Sequence, residues 1–444
     1  MAEQRASGGS GTEPIALDVL IIGGGIMGLW LLNELGQAHY SVVLLERGAL
    51  GGGQTCHSHV YLHRGHLYRE VALASRLQGV QALWDRWFQN HVPPPFGLPP
   101  SYFGFRNLAD AQQVAQSWDH PALTLTYQST SVPAALQAGG LKVVLESPEI
   151  CLEGEWLVHE LSQSVQPFIS QIEETRDILV NSTTRTVEEV RVTMPQGRSL
   201  TFRPKALVLA AGEGNQTLLD LLSRGHEPLR QRVRDAQQIR RSHMLVVKDV
   251  QGNVLEPLVG IFPSFLGLFI VSRISNGATV WLISDYRGPR LSSDEDRAKY
   301  TAQWWLPEVV AALRELAPPY FQQQPDRLQW GIYEAPKAEG GVERNVPYHG
   351  LPHQGLPHEE RIEQFGLQNV WTVWPTKLTL APQASAEVLR HLQQLIPLGS
   401  PWHSIPAAWT ERRVLPSVAQ ERWKETPLMS WDNFCRCYNL PYIA

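Results

Sequence analysis

The chain has 444 residues, of which 43% are hydrophobic and 18% charged, a balance typical of a globular protein with room for two or three domains. Its net charge of −5 argues against a nucleic-acid partner. Four cysteines are too few for a disulfide framework, and no segment has the length and apolarity of a membrane span. The first 14 residues are polar and lack the pattern of a signal peptide, so we expect a soluble, cytoplasmic protein with a disordered N-terminal tail.

The first predicted strand leads into a glycine-rich turn. The sequence DVLII ends at Gly23, and Gly25 and Gly28 follow before an apolar helix and a second strand that ends at Glu46. In such a turn the first glycine permits a tight bend, the second lets a pyrophosphate reach the backbone, and the third lets helix and sheet pack closely. A carboxylate at the end of the second strand can accept hydrogen bonds from ribose hydroxyls. The pattern predicts a dinucleotide site, with an ordinary βαβ turn as the alternative.

Histidines are concentrated directly after this second strand. The segment QTCHSHVYLHRGHLY contains four of them: His57, His59, His63 and His66. Histidine suits the role of a general base because its unperturbed pKa lies near neutrality. Metal binding is disfavoured, since only Cys56 adds another ligand type at suitable spacing. Structural hydrogen bonding is the alternative for each of the four.

The segments between the histidines and residue 172 differ in pattern. A helical periodicity runs up to the prolines at 93–95, where a helix cannot continue. Residues 96–150 contain short strands and turns around one helix, which indicates a separate lobe inserted into the first. Residues 155–172 are predicted to be helical again.

A later strand returns to the predicted dinucleotide site. After two strands around a turn at 195–197, the strand ALVLAAG ends in Ala211 and Gly212. Small residues at that point let the backbone approach a cofactor closely. Residues 228–360 contain further strands and a helix, and the sequence NVWTVWPTKLTLAPQASAEVL then predicts a strand, a turn and a helix. Residues 397–444 are rich in Trp and Pro, and their pattern indicates no particular structure. They could form a tail that wraps the body or covers the site.

Three separated segments resemble the FAD-dependent oxidoreductases of the D-amino-acid-oxidase superfamily. They are DVLIIGGGIMGLWLLNELGQAHYSVVLLERG, ALVLAAGEGNQ and NVWTVWPTKLTLAPQASAEVL. Within the superfamily, the histidine segment is similar to the L-2-hydroxyglutarate oxidases and dehydrogenases in the register of Thr55, His57, His63, Gly65 and Tyr68. The late motif around Lys377 resembles the flavin-linked glycerol-3-phosphate dehydrogenases.

The resemblance implies FAD as the cofactor and gives roles to particular residues. The cofactor-binding residues that we expect are Gly23, Gly25, Ile26, Met27, Gly28, Glu46, Arg47, Thr55, His57, Ala211, Gly212, Lys377, Leu378 and Thr379. The expected catalytic residues are His63, His57 and Lys377, with His63 as the base. The expected substrate-binding residues are Arg64, Tyr68 and Lys337, and no metal is expected.

The sequence also departs from these relatives. His59 and Val60 replace a small Ser-Gly pair, and Pro375-Thr376 replaces paired glycines. The arginine that often grips a substrate carboxylate is replaced by a stretch that offers Lys337, so an anion clamp could be this lysine, Arg64 or Arg273, or be absent. Some amine-oxidising relatives attach FAD covalently to a histidine in a context that Thr55-Cys56-His57 resembles, although we expect non-covalent binding.

The fold that follows is α/β: a Rossmann-like FAD-binding domain, assembled from discontinuous segments, with an inserted α+β substrate domain built on a mainly antiparallel sheet. The predicted parts are a disordered tail (1–14), the FAD-binding domain (15–92, 151–225 and 361–396), the substrate domain (93–150 and 226–360) and a C-terminal tail (397–444). We expect hydride transfer from a small hydroxy acid or polyol phosphate to flavin N5, with oxygen, a quinone or a protein as electron acceptor. The alternatives are an amine or amino-acid oxidase on the same fold and a non-catalytic flavin-binding protein.

Overall fold

The computed structural model describes residues 13–68, 71–94, 96, 98–234, 236–240, 242–252, 254–262, 267–285, 302–322, 325–340, 361–374, 377–397, 409 and 412–440. The predicted N-terminal tail, apart from residues 13 and 14, and the pair Pro375-Thr376 lie outside these residues.

The strands in chain order are β1 Ile15–Ile22, β2 Val42–Glu46, β3 Tyr61–Leu62, β4 Ser101–Phe105, β5 Gln128–Thr130, β6 Val143–Ser147, β7 Ile150–Cys151, β8 Ile169–Gln171, β9 Glu174–Asn181, β10 Thr186–Met194, β11 Arg198–Leu209, β12 Gln237–Arg240, β13 His243–Asp249, β14 Val259–Phe262, β15 Leu268–Ser275, β16 Ala278–Asp285, β17 Leu328–Glu334, β18 Lys337–Gly340, β19 Arg361–Glu363, β20 Val370–Trp374 and β21 Met429–Ser430. The α-helices are α1 Ile26–Gln37, α2 Gln54–His57, α3 Val71–Gly79, α4 Gln81–Phe88, α5 Leu108–Trp118, α6 Ala134–Gln137, α7 Gly154–Gln163, α8 Asn215–Leu222, α9 Glu227–Val233, α10 Ala302–Leu316, α11 Pro318–Phe321, α12 Ala381–Leu395, α13 Arg422–Glu425 and α14 Trp431–Tyr438. Short 3₁₀ turns cover Gln166–Phe168, Gly212–Gly214, Pro325–Arg327 and Leu378–Leu380.

The first sheet carries the predicted cofactor segments. Its order is β19-β20-β11-β1-β2-β8, and the β9–β10 hairpin extends it from β11. The strands β20, β11, β1, β2 and β8 run parallel. Helices α1, α7 and α12 contribute to the core on one face, and α8 and α9 to the core on the other. Burial on both faces explains why β1 and β2 are almost continuously apolar.

The second sheet is mainly antiparallel. Its order is β21-β17-β13-β16-β15-β14-β4-β6-β5, and β14–β4 is its one parallel pair among the described residues. Helix α10 packs on one face and α5 on the other. The α/β class with a second, mainly antiparallel sheet is therefore confirmed, while the boundaries proposed for two domains stay a prediction.

Three local predictions were wrong. The strand expected at ALVLAAG is not separate, because it is the end of β11, which runs without a break from Arg198 to Leu209. The helix expected before the prolines is divided into α3 and α4 at Gly79 and Val80, since glycine is a poor residue within a helix. The helix expected over 155–172 ends at Gln163, and β8 follows and pairs in parallel with β2. Pro167, which lacks an N–H donor, lies in the turn between them.

The C-terminal residues pack on the body of the protein. We call Trp409 and residues 412–440 the C-terminal strap. Trp409 is buried in the core of the first sheet, and β21 pairs with β17 at the edge of the second sheet. The strap therefore contacts both sheets. None of the described helices is long and apolar enough to cross a membrane.

Candidate active site

The glycine turn between β1 and α1 is tight at two positions and open at one. Gly23 has a φ of +119°, and a Cβ there would lie 2.4 Å from the Ala210 carbonyl oxygen. A Cβ on Gly28 would lie 1.9 Å from the carbonyl oxygen of Gly23. At Gly25, by contrast, a Cβ would meet only the Thr55 Oγ1 atom, at 3.3 Å. The space in front of Gly25 is where a pyrophosphate would approach the backbone, so the turn fits a dinucleotide.

Two side chains fix this turn from outside. The Glu46 carboxylate accepts hydrogen bonds from the backbone N–H groups of Gly24, at 2.6 Å, and Gly48, at 2.7 Å. Thr55 Oγ1 accepts the N–H of Ile26 at 3.1 Å, which satisfies a donor in the first turn of α1. Met27 is buried beneath the turn, and Arg47 is exposed beside Glu46. These predicted cofactor residues therefore surround one turn.

The other two predicted cofactor segments end near the same edge of the first sheet. The N–H of Ala211 donates to Asn215 Oδ1 at 2.8 Å, and Gly212 has a φ of +55° with open space around it. Residues Leu378–Leu380 form a 3₁₀ turn before α12. Thr379 Oγ1 accepts the backbone N–H of His63 at 2.9 Å, so the late motif directly supports the histidine segment.

His63 presents a buried ring nitrogen without a hydrogen-bond partner among the described residues, its Nδ1. The ring packs against Tyr61, at 4.8 Å between centroids, and against Tyr68, at 5.4 Å. Burial is the main reason that the pKa of His63 is lowered to about 3. The charge of Glu149 opposes this shift, and the positive charges of Lys377 and Lys337 reinforce it. His63 is therefore neutral at pH 7.

A buried carboxylate that sequence reasoning missed organises the residues around His63. Glu149 accepts the Tyr61 hydroxyl at 2.6 Å and the backbone N–H of Arg64 at 2.8 Å, and it lies 3.6 Å from His66 Nδ1. Burial alone would raise the pKa of Glu149, but its interactions with His66, His63 and Tyr61 lower it to about 2. No local pattern marks Glu149, because it follows an ordinary strand and meets the histidines only through the fold.

The other two histidines of the segment have different environments. His59 is buried, its Nε2 lies 3.2 Å from the Leu282 carbonyl, and burial lowers its pKa well below the usual value. His57 is half-buried at the end of α2, with its ring centroid 6.5 Å from that of Tyr333. Burial and the nearby Arg422 lower the pKa of His57. His59 is thus structural, whereas His57 shares its helix with Thr55, a predicted cofactor residue.

The basic residues proposed to clamp an anion have different surroundings. Lys377 Nζ lies 5.4 Å from the centroid of the Tyr68 ring, and Lys337 acts on the pKa of His63. The guanidinium of Arg64 lies 3.7 Å from the Asp85 carboxylate. Arg273 is only 1% exposed and forms a 3.0 Å ion pair with Glu421 of the strap, so it is not a substrate clamp. Among the described residues, no group of His, Cys, Asp and Glu is arranged to hold a metal ion.

This arrangement matches a known family. The family model described as DAO, FAD dependent oxidoreductase, matches residues 18–371 of the chain. The chain belongs to this family. The protein is therefore an FAD-dependent oxidoreductase, and FAD is its cofactor. The superfamily resemblance of the three segments is confirmed, while the nearer likeness to L-2-hydroxyglutarate enzymes stays a prediction.

Individual relatives agree with this assignment. A probable FAD-dependent oxidoreductase of Pseudomonas aeruginosa is 26% identical over 411 residues, which cover 86% of this chain and 92% of the relative. Its crystal structure has a TM-score of 0.65 at 23% identity and covers 93% of this chain and 99% of that chain. L-alpha-glycerophosphate oxidase from Mycoplasma pneumoniae has a TM-score of 0.60 at 15% identity and covers 85% of this chain and 95% of its own. L-amino acid deaminase from Proteus vulgaris has a TM-score of 0.59 at 12% identity, with coverages of 89% and 94%. These structural likenesses show the fold alone.

Proposed function

We propose that the protein oxidises a small anionic hydroxy acid or polyol phosphate, with His63 as the base that takes the hydroxyl proton. The observation that carries this proposal is the buried Nδ1 of His63, which has no hydrogen-bond partner among the described residues. A neutral imidazole can accept the proton of an alcohol as the C–H bond breaks. When bound, FAD accepts the hydride at its N5 atom.

The charges near His63 support an anionic substrate. Lys377 Nζ lies 5.4 Å from the centroid of the Tyr68 ring, which itself lies 5.4 Å from the His63 ring, and the positive charges of Lys377 and Lys337 both lower the pKa of His63. A carboxylate or phosphate would be attracted there, and its position would direct the neighbouring hydroxyl to the imidazole. The residues proposed to hold FAD are those of the glycine turn, with Glu46, Arg47 and Thr55, together with Ala211, Gly212, Lys377, Leu378 and Thr379. Tyr68 and Arg64 remain candidates for substrate contact.

The test is flavin reduction under anaerobic conditions. The purified protein is mixed with glycerol 3-phosphate, 2-hydroxyglutarate or other hydroxy acids, and loss of the flavin absorption band is followed by rapid mixing. Glycerol is the matched control because it has a third hydroxyl in place of the phosphate and therefore no anion, and it should reduce the flavin far more slowly. Faster bleaching by amino acids would identify an amino-acid oxidase instead. A flavin that no member of the panel reduces would contradict the proposal and favour a binding role.

A variant tests the role of His63. His63→Asn should keep FAD, since the cradle residues are unchanged, and should reduce the rate of flavin reduction by about 10²–10⁴-fold. His39→Asn is the matched control, because His39 is exposed at a φ of +60°, a conformation that asparagine adopts readily. Reduction rates within about threefold of wild type for His63→Asn would remove His63 from the mechanism.

A further inference from the structure

The C-terminal strap is hydrogen-bonded to the loop that follows β2. The N–H of Leu50 donates to the Ser417 carbonyl at 2.8 Å, and the N–H of Ala419 donates to the Leu50 carbonyl at 2.8 Å. These bonds form a parallel bridge between Leu50 and Val418. Leu50 itself borders the glycine turn, since a Cβ on Gly24 would lie 2.6 Å from its Cδ2 atom. The strap therefore holds a residue that shapes the predicted pyrophosphate site.

One carboxylate of the strap extends this support into the histidine segment. Glu421 is 1% exposed, and its Oε1 accepts the N–H of Gly154 at 2.9 Å and the Arg273 guanidinium at 3.0 Å. Arg273 Nη2 also donates to the carbonyl oxygens of His59, at 3.1 Å, and Leu152, at 3.0 Å. Glu421 is thus connected through a single guanidinium to the backbone between His57 and His63.

The next turn of the strap lies beside His57. Helix α13 packs against α2, and the charges of Arg422 and Glu425 act on His57 in opposite directions. α2 also carries Thr55, the residue that accepts the first N–H of α1. The strap therefore contacts both the loop around Leu50 and helix α2.

Stability alone does not account for a buried ion pair at this place. Removing two charges from water is costly, and apolar side chains of similar size are often as stabilising as such a pair. The pair instead fixes the relative positions of chain segments, because the guanidinium and the carboxylate can hydrogen-bond to several backbone groups in one defined geometry. Those backbone groups belong to the histidine segment, at His59, and to the segment packed against it, at Leu152 and Gly154.

We propose that the C-terminal strap is part of the FAD site and that Glu421 is a positioning residue for it. Through Gly154, Arg273 and the carbonyl of His59, Glu421 sets the path of the chain from Leu50 to His63, which FAD requires. This inference depends on FAD binding and not on the identity of the substrate, so it survives or fails separately from the proposed reaction.

The first test measures FAD affinity after exchange of the ion pair for apolar residues. Arg273→Met/Glu421→Leu removes both charges together, so no uncompensated charge is left, although the backbone groups at His59, Leu152 and Gly154 lose their partners and the apo protein should melt at a lower temperature. We expect the dissociation constant for FAD, measured by flavin fluorescence, to rise at least about tenfold. Glu227→Gln, which disrupts an exposed ion pair with Arg230, is the matched control and should bind FAD like wild type. A double variant that folds and binds FAD within twofold of wild type would overturn the proposal.

The second test uses the wild-type chain and needs no variant. If the strap favours FAD binding, FAD must stabilise the strap by the same free energy. Amide hydrogen exchange at Ala419 and Glu421, whose N–H groups bond to Leu50 and Glu155, should slow about tenfold or more when FAD is added to the apo protein. The β9–β10 hairpin, which lies outside both the loop and the strap, is the internal reference. Equal exchange with and without FAD would refute the proposal, and this result decides the matter should the double variant not fold.

Discussion

At the scale of single residues, the environment of His63 determines how the rate of flavin reduction should depend on pH. The sequence predicts a histidine that titrates near neutrality, whereas burial and the neighbouring lysines lower its pKa to about 3. Above that pH the imidazole is already neutral and needs no deprotonation. The rate of flavin reduction should therefore show no His63 step between about pH 5 and pH 9. Rapid-reaction measurements across this range provide the check, and a step near pH 6.5 that disappears in His63→Asn would contradict the lowered pKa.

Glu149 gives a second prediction, on stability. Its pKa is lowered from 4.5 to about 2, so its contribution is present above the unfolded pKa and is lost as the pH falls through about 2. Glu149→Gln should lower the free energy of unfolding by about 2–3 kcal/mol near neutral pH, because buried hydrogen bonds to a charged group are lost. Urea unfolding of wild type and variant should converge as the pH falls from 4.5 towards 2. Glu227→Gln, at an exposed position, should change stability little. A similar loss of stability in both variants would show that the buried hydrogen bonds of Glu149 do not stabilise the fold.

At the scale of elements, helix α1 and the residue before it carry three glycines with different surroundings, Gly25, Gly28 and Gly36. Gly25→Leu should abolish FAD binding with little change in apo stability, since a Cβ there meets only Thr55 Oγ1, at 3.3 Å. Gly28→Ala should impair both FAD binding and apo stability, because its Cβ would lie 1.9 Å from the Gly23 carbonyl oxygen and would push the helix from the sheet. Gly36→Ala, with no atom within 4 Å, should stabilise by about 0.5–1 kcal/mol and keep FAD. Thermal unfolding with and without FAD distinguishes these outcomes, and retention of FAD by Gly25→Leu would show the cradle assignment to be wrong.

The elements that the sequence predicted are those whose signal is local. The strand, turn and helix around Gly23 and Gly28 have a fixed spacing and an apolar pattern. The end of β11 was predicted from the small residues that follow it. Strand β8 was missed because three residues carry too little periodicity to separate a short strand from the end of a helix. The break between α3 and α4 lies at a single glycine, Gly79. One glycine lowers the helix propensity of a segment but does not decide whether the helix breaks there.

At the scale of the whole molecule, the contacts that the sequence left undetermined join distant parts of the chain. Arg273 and Glu421 are separated by 148 residues, and Glu149 reaches His66 from another segment. No pattern within a window of the chain predicts such pairs, since each residue has an ordinary neighbourhood. The same limit explains why the Trp-rich C-terminal residues indicated no structure, although the fold uses them to join its two sheets. The candidate site could therefore be located from motifs, but its supporting residues could not.

The anchoring of the strap to the second sheet is testable through Trp431. Its side chain is 3% exposed, its ring centroid lies 4.7 Å from that of Trp330, and the Arg314 guanidinium carbon lies 5.1 Å above it. Trp431→Ala leaves a cavity between α14 and β17 and should lower the free energy of unfolding by about 3–5 kcal/mol in denaturant titrations. Leu415→Ala in the same strap, at a position 44% exposed, is the control and should cost less than about 0.5 kcal/mol. A loss below about 1 kcal/mol for Trp431→Ala would mean that α14 can leave the second sheet without unfolding it. The strap would then be held by Trp409, by the bridge between Leu50 and Val418, and by the ion pair between Glu421 and Arg273.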